Sequence, residues 1–153
     1  MLEIVKYPDE TLRQISEKVE LPLSREDRAL LDEMYRWVKD NQDKAVGLSA
    51  IQVGVPKRMC AIRSCSKGHN FAYKLVNPKI IMRSPRTFVH TEGCLSVENE
   101  SWKVSRHESV TVTAYDAIAN KNVLIKATGF DAAILQHEID HMDGVLYIDK
   151  KLN

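Results

Sequence analysis

Residues 130–142 have the pattern of a buried helix. Apolar and histidine side chains recur at steps of three and four residues, and most positions between them are apolar as well. This pattern predicts a helix that is enclosed on most sides. Gly144 follows it, in the place where a left-handed glycine commonly ends a helix. The positions that carry the pattern are Phe130, Ala133, Ile134, His137 and His141, with Ala132, Leu135 and Ile139 between them.

A second helix, with one apolar and one charged face, is predicted over residues 25–41. Ser24 and Asp27 before and within its first turn resemble a capping box, with Asp in the place of Glu. Such an amphipathic helix is expected to cover a sheet. The apolar stripe is formed by Leu30, Leu31, Met34, Trp37 and Val38.

The pattern between these helices is typical of strands, with β-branched and aromatic residues between turn signals. Asn77-Pro78 and Ser84-Pro85 are expected to interrupt it. Strands and helices do not alternate strictly, so we predict an α+β fold in one domain, residues 1–153. Mostly antiparallel strands would pack around the central helix 130–142, with the N-terminal helix covering the sheet. The predicted strands are 58–63, 71–77, 79–82, 87–90, a hairpin of 109–115 with 123–127, and a strand-like piece at 145–148.

Composition excludes several classes of protein. The chain has 153 residues and a formal net charge of +1, without a clustered Lys/Arg stripe for nucleic acid. Its apolar runs are far shorter than the roughly 20 residues of a membrane span. The first residues lack a signal-peptide or transit-peptide pattern, so a cytoplasmic location is expected. Three cysteines argue against a disulfide framework, and Cys60 and Cys65 are interpreted as a buried strand residue and a loop residue.

The predicted central helix contains the pattern H-E-x-x-H, from His137 to His141. Two histidines four residues apart project from one face of a helix, so both imidazoles can reach one metal ion. Glu138 lies beside them as a candidate general base. Because burying histidines and carboxylates without partners costs free energy, this apolar context favours a metal site over a chance match. The pattern indicates water activated by a metal ion, without deciding the reaction.

A catalytic metal commonly has a third protein ligand. Thermolysin-like proteases take a Glu from downstream, but only twelve residues follow His141 and none is Glu. Metzincins have a third His where this chain has Tyr147. The ligand must therefore come from upstream, where Cys94 would supply a thiolate after a predicted strand. Three competitors remain, each more simply explained as an exposed or structural histidine: His69, His90 and His107.

Three segments together resemble the signature motifs of the peptide deformylase family. Residues 92–96 (EGCLS) and 137–141 (HEIDH) are similar to two of them, and residues 45–52 (AVGLSAIQ) to the third, G-φ-G-φ-A-A-x-Q. They occur in the family's order, and the similarity covers nearly the whole chain. The departures from the family pattern are Ala45 in place of the first Gly, Ser49 in place of the first Ala, and Glu98 where many members have Pro.

The resemblance implies an enzyme that removes the formyl group from N-formylmethionine at the start of new polypeptides. It implies one divalent metal ion held by Cys94, His137 and His141, with iron(II) expected and zinc, nickel or cobalt able to replace it in purified protein. Glu138 would take a proton from the attacking water and pass it to the departing amine. The implied partners are N-formylmethionyl peptides, including nascent chains on ribosomes.

Further residues receive expected roles from the same resemblance. The side-chain amide of Gln52 and the backbone N–H of Leu95 would stabilise the oxyanion, although composition alone favours a satisfied core glutamine at position 52. Gly47 would let the substrate backbone pass close. Glu92 would pair with Arg106 and hold the loop that carries Cys94.

The methionine side chain of such a substrate needs an apolar pocket. Phe130, Ala133 and Ile134 are placed on the helix to supply part of it, and an ordinary core role explains them equally well. Asp140 is expected to support the site, because ligating histidines usually need an acceptor for their other ring N–H. Two rival functions remain: a zinc peptidase, and a diverged protein that binds formyl-peptides without turning them over.

Overall fold

Two antiparallel sheets and two α-helices make up the computed structural model, which describes residues 2–64 and 71–153. The helices are α1 (Arg25–Asp40) and α2 (Gly129–Met142). Short 3-10 helices span Glu10–Arg13, Ala50–Val53 and Tyr147–Lys150. Cys65 and His69 lie outside the described residues. The strands are β1 (Gly47–Ser49), β2 (Met59–Ser64), β3 (Phe71–Arg83), β4 (Thr87–Cys94), β5 (Val97–His107), β6 (Ser109–Asp116) and β7 (Lys121–Thr128).

The larger sheet has the order β1-β2-β3-β6-β7 and lies between the two helices. Alternate residues of β2 point to opposite faces: Cys60 and Ile62 join the core on the α2 side, whereas Met59 and Ala61 join the core on the α1 side. A strand covered on both faces is apolar throughout. This explains why β2 does not alternate between apolar and polar residues. The predicted α+β class, with mostly antiparallel strands, is confirmed.

Both helices begin and end close to the predicted positions. The Ser24 side chain accepts a hydrogen bond from the Asp27 N–H at 3.1 Å and so caps α1. The carboxylate of Asp27 binds Lys57 instead of completing a capping box. In α2, nine of the 14 residues are buried, as expected for a central helix. Gly144 follows at φ 73, the left-handed conformation predicted for this position.

The smaller sheet is a hairpin of β4 and β5 that carries the Cys94 loop. Cys94 pairs with Val97, so Leu95 and Ser96 form the two-residue turn. The register shifts between Glu92 and Cys94. Such irregularities redirect side chains and are common beside functional sites.

Three predictions about strands are wrong, and one strand was not predicted. Asn77-Pro78 does not end a strand: β3 is continuous, because Asn77 adopts φ 53 and a register shift between Val76 and Lys79 accommodates the proline. Strand β4 runs four residues beyond the predicted 87–90. Strand β5 was not predicted, since its middle is exposed and lacks an apolar face. Residues 145–148 are not a strand; the 3-10 helix Tyr147–Lys150 occupies this part of the chain.

The segment before α1 bonds to both the 3-10 helix Ala50–Val53 and the β4–β5 turn. The N–H of Val5 donates to the Gln52 carbonyl and the N–H of Tyr7 donates to the Ser96 carbonyl, both at 2.7 Å. Farther along, Arg13 forms a two-point ion pair with Asp149, with N–O distances of 2.6 and 3.0 Å. Neither helix in the described part of the chain is long and apolar enough to cross a bilayer.

Candidate active site

The two histidines of α2 and the cysteine of the hairpin turn converge. Nε2 of His141 lies 3.2 Å from Nε2 of His137 and 3.5 Å from Sγ of Cys94. All three donor atoms lie within 4.8 Å of one another. Among the described residues, this is the one such group of His, Cys, Asp and Glu side chains. A sulfur and two imidazole nitrogens at these distances fit one divalent transition-metal ion.

Glu92 holds His137 in the orientation that this arrangement needs. Nδ1 of His137 lies 2.8 Å from Oε1 of Glu92, which leaves Nε2 facing Cys94 and His141. Arg106 donates to both oxygens of Glu92, from Nε at 2.7 Å and from Nη2 at 2.8 Å, so the expected pairing is present. Burial disfavours the Glu92 charge, but hydrogen bonds from Arg106 and His137 outweigh it and hold its pKa far below the ordinary range. The carboxylate is therefore an ionised acceptor at neutral pH.

The two imidazoles have opposite electrostatic environments. Burial disfavours charge on His137, but hydrogen bonds with Cys94 and Glu92 outweigh this and raise its pKa well above the ordinary value. Burial and the neighbouring His137 lower the pKa of His141 well below the ordinary value. His141 is therefore neutral, with a lone pair available to a metal ion.

Glu138 follows His137 in α2 and lines the same cavity, and its side chain lies between the helix and β1. Its side chain is buried, and a methyl group built on Gly47 would lie 2.6 Å from its Oε2 atom. The hydroxyl of Ser49 lies 3.0 Å from Oε1. Burial raises the pKa of Glu138, and the opposing effects of His137 and of the Ser49 hydrogen bond do not cancel this. A carboxylate with a raised pKa suits proton transfer near neutral pH.

Gln52 has a fixed amide orientation. Its Oε1 accepts the Ser49 N–H at 3.0 Å, so its Nε2 points toward Cys94 Sγ at 3.5 Å and Ser96 Oγ at 3.2 Å. The side chain is buried and hydrogen-bonded, which agrees with the composition-based expectation. It also directs an N–H donor toward the metal-ligand cluster, which agrees with the expectation from the motif.

A cavity of about 330 Å³ opens onto these groups. Phe130, Ala133 and Ile134, which were expected to supply a side-chain pocket or to belong to the core, line one part of it. Phe130 is 46% exposed, whereas Ala133 and Ile134 are nearly buried and also belong to the core. Leu95 lines the cavity from the turn, where its N–H lies outside the β4–β5 ladder.

The remaining expected residues have structural contacts. Asp140 is not the acceptor for a ligating histidine; it accepts from Arg106 at 2.6 Å and Lys150 at 3.1 Å. Two of the competing histidines, His90 and His107, lie outside the donor cluster. His90 Nε2 lies 2.7 Å from Glu92 Oε2, and His107 Nδ1 lies 2.8 Å from the Ser84 carbonyl.

Three polar residues near the site were not assigned roles from the sequence. Ser49, noted only as a departure from a motif, contacts Glu138. Ser96 accepts a hydrogen bond from Gln52. Gln136 bonds to both the N–H and the carbonyl of His107 at 2.9 Å, and so ties α2 to the end of β5. Each contact joins distant parts of the chain, and motif spacing carries no signal for them.

Comparison with known proteins agrees with this geometry. A family model described as polypeptide deformylase matches residues 1–153. The peptide deformylase of Shouchella clausii is 35% identical over 164 residues, covering 98% of this chain and 89% of that protein. The crystal structure of peptide deformylase from Ehrlichia chaffeensis in complex with actinonin has a TM-score of 0.89 and 34% identity, covering 100% of this chain and 90% of that one. A ligand-bound class I type b peptide deformylase from Acinetobacter baumannii has a TM-score of 0.89 and 31% identity, with 98% of each chain covered. The chain therefore belongs to the peptide deformylase family, whose members are metal-dependent hydrolases, as its three motifs predicted.

Proposed function

We propose that this chain, as one catalytic domain, hydrolyses the formyl amide of N-formylmethionine at the start of newly made polypeptides. The observation that carries the proposal is the convergence of Cys94, His137 and His141 beside the buried carboxylate of Glu138. A cavity lined by Cys94, His137 and Glu138 opens onto this site. A structural metal site would need neither a buried carboxylate nor a directed amide next to its ligands.

Cys94, His137 and His141 would hold the metal ion, and iron(II) is the ion that we propose. Zinc, nickel and cobalt suit the same sulfur and nitrogen donors and are expected to replace iron in purified protein. When bound, the ion supplies Lewis acidity to the attacking water and to the formyl oxygen. Glu92 and Arg106 would keep the His137 ring in place during the reaction.

Glu138 is the proposed proton carrier. It accepts a proton as the water oxygen bonds to the formyl carbon, and it gives that proton to the nitrogen as the carbon–nitrogen bond breaks. The products are formate and a free amine. The negative charge that develops on the formyl oxygen would be stabilised by Nε2 of Gln52 and by the backbone N–H of Leu95.

The substrate would lie along the cavity with its methionine side chain between Phe130, Ala133 and Ile134. Gly47 has no side chain to obstruct the substrate backbone beside Glu138. We also propose nascent chains leaving the ribosome as natural substrates, and the cytoplasm as the compartment in which they are met.

A deformylation assay tests the proposal. The protein, loaded anaerobically with iron(II) or with nickel, is incubated with formyl-Met-Ala-Ser while the new amine and formate are measured. We expect equal amounts of both products, and loss of the activity in Glu138→Ala with metal content unchanged. Cleavage of unformylated Met-Ala-Ser would support a peptidase. Binding of the formyl-peptide without formate release by correctly loaded protein would support the non-catalytic alternative.

A further inference from the structure

Ser49 contacts the proposed proton carrier from behind the cavity. Its hydroxyl lies 3.0 Å from Oε1 of Glu138 and 2.9 Å from the Glu138 backbone carbonyl oxygen. The side chain is fully buried, so substrate cannot reach it. Any effect of Ser49 on the reaction must therefore pass through Glu138.

A serine hydroxyl has one proton and can donate fully to only one of these two oxygens. The Glu138 carbonyl lies inside α2, which continues to Met142, and a helix carbonyl at this position accepts the N–H four residues ahead. The charged carboxylate is the stronger acceptor. The Ser49 hydroxyl therefore donates its hydrogen bond to Oε1 of Glu138.

The two oxygens of Glu138 are thus unlike each other. Oε1 is bound by Ser49, whereas Oε2 lies beside Gly47, at a position that a side chain on residue 47 would occupy. Gly47 and Glu138 both line the cavity. We propose that Ser49 is a positioning residue, whose hydroxyl binds Oε1 and leaves Oε2 as the oxygen that accepts the proton of the attacking water. This inference rests on the proposed function of Glu138.

The backbone of Ser49 positions a second polar group. Its N–H donates to Oε1 of Gln52 and so directs Nε2 of that amide toward Cys94. A change in the side chain leaves this backbone bond in place. Replacing Ser49 by Ala therefore removes the contacts of the hydroxyl with Glu138 and leaves Gln52 in place. The similar family motif has Ala at this position, so the variant is expected to fold.

Steady-state kinetics with formyl-Met-Ala-Ser tests the role of the hydroxyl. In Ser49→Ala we expect kcat to fall about tenfold and KM to stay within about twofold of the original value. The expected loss is smaller than the effect of removing a general base, because Glu138 itself remains. Ser49→Thr keeps the hydroxyl and should retain most of the kcat. Metal content and thermal midpoint are measured for every variant. The matched control is Ser16→Ala, because Ser16 is also buried and its hydroxyl has no hydrogen-bond partner among the described residues.

A double-mutant cycle separates positioning from a general structural effect. In the Glu138→Ala background, Ser49→Ala should leave the residual rate unchanged, since the group it positions is missing. An unchanged kcat in Ser49→Ala, or an equal loss in both backgrounds, would overturn the inference. Full activity of Glu138→Ala would instead overturn the proposed role of Glu138, so the two failures are distinguishable.

Discussion

Oε1 of Glu92 lies 2.8 Å from Nδ1 of His137, while Arg106 binds both oxygens of the same carboxylate. Glu92→Gln keeps one oxygen but places an N–H donor among groups that are themselves donors. We expect metal affinity to fall about 10- to 100-fold, the usual effect of losing a partner of a ligating histidine. Competition with a chromogenic chelator measures this.

The control for this variant is Glu108→Gln, because Glu108 pairs with the exposed Arg86 at 3.5 Å. Its metal affinity should match that of the original protein. Equal affinity in Glu92→Gln would contradict the orienting role of the carboxylate.

Gly47→Ala should reduce catalysis without unfolding the protein. The new methyl group would lie 2.6 Å from Oε2 of Glu138, and the end of a side chain can move aside. A displaced carboxylate is expected to lower kcat by about 100-fold. The free energy of unfolding should change by less than about 1 kcal/mol. Kinetics and urea unfolding on one preparation would check both, and an unchanged kcat would show that Oε2 tolerates displacement.

Gly144→Ala should destabilise the fold more than Gly129→Ala. Both glycines have positive φ, 73 and 59, so both variants introduce backbone strain. Only at Gly144 would the new methyl group also collide with backbone, 2.5 Å from the Arg13 carbonyl oxygen. We expect each variant to lose about 1 kcal/mol from φ strain, with a further loss in Gly144→Ala. Thermal unfolding of the two variants measures the difference. Equal losses of stability would show that the contact with the Arg13 carbonyl is relieved without cost.

The Arg13–Asp149 ion pair gives a stability difference that depends on pH. The hydrogen bond from Arg13 lowers the pKa of Asp149 below its ordinary value. A depressed carboxyl pKa stabilises the folded state above the unfolded pKa of about 3.9, and this is lost as pH falls through the folded pKa. Compared with Asp149→Asn, the original protein should be more stable by about 0.2–1 kcal/mol at pH 7, since the pair is partly exposed. Urea unfolding should show that the difference in free energy of unfolding between the two proteins becomes smaller toward pH 3. A difference that does not change with pH would show that it does not come from the charge of Asp149.

Periodicity predicted the elements that have at least one buried face. Helix α1 has a clear stripe, and β6 alternates between buried and half-buried residues along its whole length. Strand β5 was not predicted, because both faces of its middle are exposed to water and its sequence there has no apolar alternation. Asn77 was expected to end a strand, but a left-handed residue and a register shift absorbed the proline.

Elimination of downstream ligands led to Cys94. The two histidines of the candidate metal site could be found in the sequence because metal binding fixes residue type and spacing within one helix. The contact between Ser49 and Glu138 could not, because it joins positions 89 residues apart and depends on how β1 packs on α2. The same holds for Glu92, whose pairing with Arg106 came from the family resemblance, while its bond to His137 emerged only from the folded structure.

Val5 and Tyr7 bond to the backbones of Gln52 and Ser96, so the segment before α1 fastens both the 3-10 helix that carries Gln52 and the turn that carries Ser96. Both partners lie later in the chain, so these two hydrogen bonds can form only after residues 52 and 96 have been made. An affinity tag or a proteolytic cut that disturbed these few residues would slow the enzyme without removing any reacting group.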